Sequence, residues 1–168
     1  MAQKIKLIIY SILELTLDVF PRYTGSFLRK KLLKLFGARI HKSARIYCGV
    51  RVSVPKNLVL EEKSCLGPNV IVYNLGRVRV KKKATVSQEA KLICASHNIR
   101  SSKHELTTKE ITIGENAWIA AHAIVGPYAY VGENAVIGLG SVFKGSAENN
   151  GIYVGNPAVL VGIRKLIS

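Results

Sequence analysis

The sequence predicts an all-β chain wound into a three-sided parallel β-helix, with helices before it and a short tail after it. Two observations carry this reading: a branched aliphatic residue recurs every six positions, and small residues hold fixed places between those aliphatics. A third, helical spacing ahead of residue 38, sets the N-terminal segment apart.

The repeat is clearest from Ile113, where IGENAW, IAAHAI, VGPYAY, VGENAV and IGLGSV follow without a break. Their first positions are Ile113, Ile119, Val125, Val131 and Ile137. Their second positions are Gly114, Ala120, Gly126, Gly132 and Gly138, and their fifth are Ala117, Ala123, Ala129, Ala135 and Ser141. Ile and Val fill 34 of 168 positions, so five in five at one spacing arises by chance roughly once in 3,000 trials. A six-residue period suits a coil with three flat sides, each sending one aliphatic toward a shared axis. β-branched residues fit such a buried, pleated surface. Small residues let the chain turn each corner and let coils stack at strand spacing.

The period extends backward with interruptions. Ile40, Ile46 and Val52 step by six, as do Leu60, Leu66 and Val72, then Val80, Val86 and Leu92, with two extra residues between groups. From Leu92 to Ile113 the step is 21, which reads as three residues beyond a whole coil of 18. The stretch SHNIRSSKHELTTKE at 96–110 is polar and aperiodic, and reads as an excursion loop. The expected organisation is therefore a helical segment at 1–37, the β-helix at 38–143 and a tail at 144–168.

In the first segment Ile8, Ile12, Leu15 and Val19 fall at helical spacing, with Ser11, Glu14 and Asp18 opposite and Pro21 as the stop. A second helix, from Ser26 to Phe36, mixes Phe27, Leu28, Leu32, Leu33, Leu35 and Phe36 with Arg29, Lys30, Lys31 and Lys34. Two roles stay open for these helices: capping the end of the prism, or lying on an anionic membrane surface.

The net charge of +15 raises three partners: nucleic acid, an anionic membrane or a polyphosphorylated ligand. Residues 1–45 hold ten Lys and Arg against Glu14 and Asp18, and so contribute +8 of it. No nucleic-acid recognition motif is present and the positive charge is not interleaved with aromatics, which argues against nucleic acid. Cys48, Cys65 and Cys94 form no CxxC, and the four histidines show no ligand spacing, so core thiols in a reducing compartment and no metal site are expected. Glu14 and Asp18 interrupt the apolar run from Leu7, which suits neither a signal peptide nor a membrane span. A cytoplasmic protein is the expectation.

Five pieces carry a family resemblance: LFGARI at 35–40, YNL at 73–75, ICASHN at 93–98, the repeat block at 111–142 and YVGNPA at 153–158. Together they resemble the hexapeptide-repeat acyltransferases, and more closely the WcaF-type colanic acid biosynthesis acetyltransferases. The resemblance implies a left-handed β-helix that assembles as a homotrimer, with acetyl-CoA in the groove between subunits. It also implies direct attack of an acceptor hydroxyl on the thioester, with a histidine of the excursion loop as general base.

Carried over, that base is His97. A sugar hydroxyl is a poor nucleophile near neutrality, and imidazole titrates close enough to take its proton. His104, in the same loop, is the rival. Relatives usually read SHD where this chain reads SHN, so Asn98, or else Glu105, is left to orient the imidazole. The resemblance places Asn74 and Asn98 toward the acceptor, the alternative for Asn74 being a plain turn residue. Toward acetyl-CoA it places Trp118, or else a subunit contact there, and the backbone N–H of Ala121. Leu139 stands where relatives carry Ala or Gly, and Lys144 follows the last repeat. Arg164 and Lys165 are displaced from the relatives' arginine positions, which fall on Val159 and Gly162, yet stay within reach of nucleotide phosphates.

The function so implied is O-acetylation of a sugar hydroxyl in capsule, exopolysaccharide or O-antigen synthesis. Acetyl transfer to an amino sugar nucleotide or to serine, and a non-catalytic β-helix scaffold, are the competing readings.

Overall fold

Each aliphatic of the six-residue period stacks on its counterpart one coil away, and the three stacks are the walls of a left-handed parallel β-helix. The computed structural model describes residues 2–16 and 24–166. On the first side Ile40, Leu60, Val80, Ile113, Val131 and Ala147 are in register. On the second side the column is Ile46, Leu66, Val86, Ile119, Ile137 and Tyr153. The third is Val52, Val72, Leu92, Val125 and Phe143. All of these except Tyr153 are buried, so the prism has a filled core and no lumen.

The corners explain the small residues. A Cβ added to Gly114 would lie 2.6 Å from the Gly132 backbone of the next coil, a separation no side chain tolerates. The fourth position of each block turns through the left-handed region, with φ of 55° at Asn116, 58° at His122 and 58° at Asn134. That turn costs non-glycine residues energy. It aims the N–H of Asn116 at Lys82 O (2.9 Å) and that of Asn134 at Glu115 O (2.9 Å), one coil away.

The two ends are closed differently. At the N-terminal end α2 (Thr24–Leu35) lays Leu33 on the core, and Leu32 and Phe36 pack beside it. Helix α1 (Ala2–Thr16) adds Tyr10, whose buried ring lies 5.3 Å from that of Phe36. The face of α1 that docks is not the expected one. Ile8 and Ile12 are 60% and 58% exposed, whereas Glu14, expected on the outer face, turns inward. The cause is the uppermost coil, whose Val52 N–H has no strand above it and donates to Glu14 Oε1 at 3.0 Å. The Tyr10 hydroxyl donates to the same carboxylate. Asp18, Val19, Pro21 and the side chain of Leu15 lie outside the described residues. Among the described residues no helix is long and apolar enough to cross a membrane.

At the other end the β-helix runs past residue 143. Ser146–Ala147 and Gly151–Gly155 continue the first and second sides, in what the sequence reading treats as tail. The period is hidden there because Ala147 follows Phe143 by only four positions and Tyr153 replaces an aliphatic. The chain then reverses through the cis Asn156–Pro157 bond, and Ala158–Ile163 pairs antiparallel with Gly151–Gly155. Tyr153 packs edge-on against Phe143 with ring centroids 5.3 Å apart, closing this end of the core.

The excursion is a hairpin. Ala95–His97 pairs antiparallel with Leu106–Thr108, standing off the edge between the third and first sides. The 21 positions from Leu92 to Ile113 hold one six-residue side and fifteen inserted residues, because Leu92 belongs to the third side and Ile113 to the first. No extra coil is present, which corrects the reading as three residues beyond a coil. Cys65 and Cys94 are buried thiols; Cys48 is only half-buried, and none of the three is in a disulfide.

Candidate active site

His97 ends the outgoing strand of the excursion hairpin, with its ring exposed on a cleft of about 600 Å³. The cleft lies between the hairpin and the third–first edge, and Asn98, Arg100, Pro127, Tyr128 and Lys144 also line it. His97 Nδ1 lies 2.5 Å from the backbone carbonyl oxygen of His104. A carbonyl only accepts, so Nδ1 carries the hydrogen, and in the neutral imidazole the lone pair is on Nε2. That is the tautomer a general base requires.

The loop that supplies this carbonyl is built from short-range bonds. Asn98 N–H donates to Glu105 O at 2.9 Å, and Asn98 Oδ1 accepts from Arg100 N–H at 3.1 Å. His104 turns through φ 46°, its own N–H donating to Ser101 O at 3.1 Å. Neither side chain expected to orient the imidazole does so: Asn98 closes a turn, and Glu105 faces Ser101. The Ser101 hydroxyl, and then the Glu105 backbone N–H, hold that carboxyl below its ordinary range. His104 contributes its backbone carbonyl to this contact.

Asn74 is fully buried, with Oδ1 accepting from Val54 N–H at 2.9 Å and Nδ2 donating to Val54 O at 2.8 Å. Both polar atoms are spent on the neighbouring coil, so the expected acceptor contact is withdrawn and the turn reading holds. Arg164 uses one nitrogen structurally: Nη1 donates to Asn116 O (3.0 Å) and Asn134 O (3.2 Å), pinning the last strand to the first–second edge. Lys165 beside it is exposed.

The residues carried over toward acetyl-CoA divide into two groups. Lys144 shares the cleft of His97. Trp118 stands on the second side, 45% exposed, its indole N–H donating to Ser87 Oγ at 2.8 Å. Ala121 and Leu139 stack at the second–third edge, where Gly140 N–H donates to Ala121 O at 3.0 Å. Leu139 is 70% exposed, and among the described residues the Ala121 N–H has no bonded partner. A single prism therefore offers the imidazole on one edge and the Trp118, Ala121 and Leu139 surface on other parts of its perimeter.

Two features escape the sequence reading. Tyr128 occupies a left-handed corner (φ 68°) with Lys109 Nζ 5.2 Å from its ring centre, bringing an aromatic face to the His97 cleft. A bulky ring at the fourth position, where other blocks of the run carry Asn, His or Gly, was the available signal. His122 Nδ1 also lies 3.3 Å from Glu89 Oε2 at the second–third edge. Among the described residues no cluster of three or more potential metal ligands is present.

Comparison with known proteins decides the family. The bacterial transferase hexapeptide (six repeats) model matches residues 110–145. "Putative colanic acid biosynthesis acetyltransferase WcaF" of Escherichia coli (strain K12) is 35% identical over 134 residues, 79% of this chain and 73% of its own length. The chain belongs to the WcaF-type hexapeptide-repeat acetyltransferases. The folds of two solved acetyltransferases agree with that. A hexapeptide-repeat acetyltransferase from Vibrio cholerae superposes with TM-score 0.85 at 18% identity, covering 98% of this chain and 94% of its own. A galactoside acetyltransferase in complex with coenzyme A superposes with TM-score 0.79 at 21% identity, covering 94% and 82%. The His97 hairpin and cleft are thus features of an acetyltransferase of this type.

Proposed function

We propose that this protein transfers an acetyl group from acetyl-CoA to a hydroxyl of a saccharide acceptor in bacterial surface polysaccharide synthesis, with His97 as general base. The observation that carries the proposal is the 2.5 Å contact of His97 Nδ1 with the His104 carbonyl, which puts the lone pair of the neutral ring on Nε2 in a side chain that lines the cleft. In the reaction, Nε2 takes the proton of the acceptor hydroxyl as its oxygen attacks the thioester carbonyl. The tetrahedral intermediate collapses, the C–S bond breaks, and the imidazolium returns its proton to the departing thiolate. The freely donating Ala121 N–H suits the thioester oxygen or the pantetheine arm. Lys144 and Lys165 suit the phosphates; Asn98, in the cleft, retains its amide N–H groups for the acceptor.

The assembly is a homotrimer with one site per pair of neighbours. One chain holds its imidazole and its Trp118–Ala121–Leu139 surface on separate parts of the perimeter, so a second chain laid alongside completes the pair. The enzyme works in the cytoplasm, where acetyl-CoA is available. The colanic acid assignment of the WcaF relative supports a saccharide acceptor over serine or an amino sugar nucleotide.

Thiol release from acetyl-CoA across a panel of sugar acceptors, with the product mapped by mass spectrometry, tests the reading. Turnover with a sugar that disappears in His97→Ala is the expected result. Turnover on serine alone, or unchanged rates in His97→Ala, would overturn it.

A further inference from the structure

The N-terminal helices present a surface that acetyl transfer does not use. On α1 the docked stripe is Leu7, Tyr10 and Glu14, three and four residues apart. At helical spacing Ile5, Ile8, Ile9 and Ile12 fall on the opposite stripe, and they are 51%, 60%, 48% and 58% exposed. Among the described side chains no charge interrupts that stripe: Lys6 lies to one side, 5.6 Å from the Phe36 ring centre, and Glu14 faces the prism.

Helix α2 supplies the complementary chemistry. Its outward side carries Phe27 (59% exposed) and Leu35 (73% exposed) interleaved with Lys31 and Lys34, and Lys31 Nζ sits 4.5 Å over the Phe27 ring. Both outward faces point away from the end of the prism that these helices close. An aliphatic stripe beside aromatic and lysine side chains is the pattern of a helix that lies in a lipid interface. The charge agrees, since residues 1–45 hold ten Lys and Arg against two carboxylates, one of which is the inward-turned Glu14. At 15 residues α1 is too short to cross a bilayer.

We propose that the outward faces of α1 and α2 form a docking surface for an anionic lipid bilayer, seating the N-terminal end of the prism on the membrane. This goes beyond the acetyl-transfer reading and does not depend on it. The chemistry recognised is an acyl layer bounded by negative headgroups.

Flotation of the full chain with phosphatidylglycerol–phosphatidylcholine vesicles, against phosphatidylcholine alone, tests it without any activity readout. The wild type is expected to float with the anionic vesicles only, and to be released as salt rises. Ile8→Asp combined with Ile12→Asp is expected to lower the bound fraction about tenfold, and Lys31→Glu combined with Lys34→Glu to remove the salt dependence. Circular dichroism and the unfolding temperature establish that each variant is folded; Ile5→Ser with Ile9→Ser repeats the measurement should the Asp pair unfold. Failure of the wild type to float, or equal flotation of the folded stripe variants, overturns the proposal. So does a stripe variant that floats normally but falls to a smaller oligomer, which would make the stripe a contact between copies of the chain.

Discussion

The imidazole of His97 is held by the backbone of His104, not by any side chain: Nδ1 and the carbonyl oxygen, seven positions apart in the chain, are 2.5 Å apart across the neck of the hairpin loop. A carbonyl bond fixes the tautomer as a carboxylate would, but contributes no formal charge to the imidazolium that forms during the reaction.

Two substitutions separate the two histidines. His97→Ala is expected to lower kcat/KM by roughly 10²–10⁴-fold while leaving the oligomer intact. His104→Ala keeps the carbonyl, and is expected to stay within several-fold of the wild type. Steady-state thiol release measures both, and a loss at His104 as deep as that at His97 would make the His104 side chain the base.

Asn98 accepts from Arg100 N–H and lends its own N–H to Glu105 O, so its side chain serves the turn. Asn98→Asp retains an acceptor oxygen but loses the amide N–H groups, and is expected to preserve kcat to within a few-fold while raising the KM of the acceptor. Asn98→Ala removes the acceptor, loosening the loop that carries the His104 carbonyl, and is expected to lower kcat more than KM. Equal rates for the two variants would contradict this role.

Lys144 lines the His97 cleft together with Arg100. Its substitution by Ala is expected to raise KM for acetyl-CoA by about tenfold, equivalent to roughly 1.4 kcal/mol, with kcat little changed. A change confined to the acceptor KM would move Lys144 to the other substrate.

Packing sets the stability of the coils. Gly114→Ala places a methyl group 2.6 Å from the Gly132 backbone, and is expected to cost about 1–3 kcal/mol. Ile119→Ala empties part of the second column and is expected to cost about 2–5 kcal/mol. Urea unfolding midpoints read both, and a neutral Gly114→Ala would mean that the coils can separate at that corner.

Burial, then the neighbouring Glu14 carboxylate, push the Tyr10 phenol above its ordinary range. A group whose folded pKa is raised stabilises fully below the unfolded value, and its contribution falls as pH climbs through and beyond that value. The docking of α1 is therefore expected to weaken above about pH 10, the ordinary phenol value. In an ultraviolet titration one of the seven tyrosines should stay protonated until the chain unfolds. Seven ordinary titrations in the folded protein would count against the buried Tyr10–Glu14 pair.

The three walls were legible because one physical demand, an aliphatic at the axis every sixth residue, acts on every coil. Legibility failed where something else filled the role. Ala147 and Tyr153 carry the sixth coil, the first only four positions after Phe143 and the second without an aliphatic side chain. On α1, aliphatic spacing pointed to the wrong face, because an unpaired strand N–H at Val52 recruited Glu14. Asn74 bears a polar side chain suited to a ligand, yet it is consumed by the backbone of a neighbouring coil, and Arg164 turns Nη1 to two backbone carbonyls.

The sequence alone determined the three-sided coil, the place where the chain leaves it and the histidine on that excursion, since periodic burial and its interruption are written residue by residue. Only the tertiary structure decided which group orients His97, which cations share its cleft and which face of α1 meets the prism. Those outcomes depend on hydrogen-bonding groups left open by other coils, and no local pattern records which of them will be short of a partner.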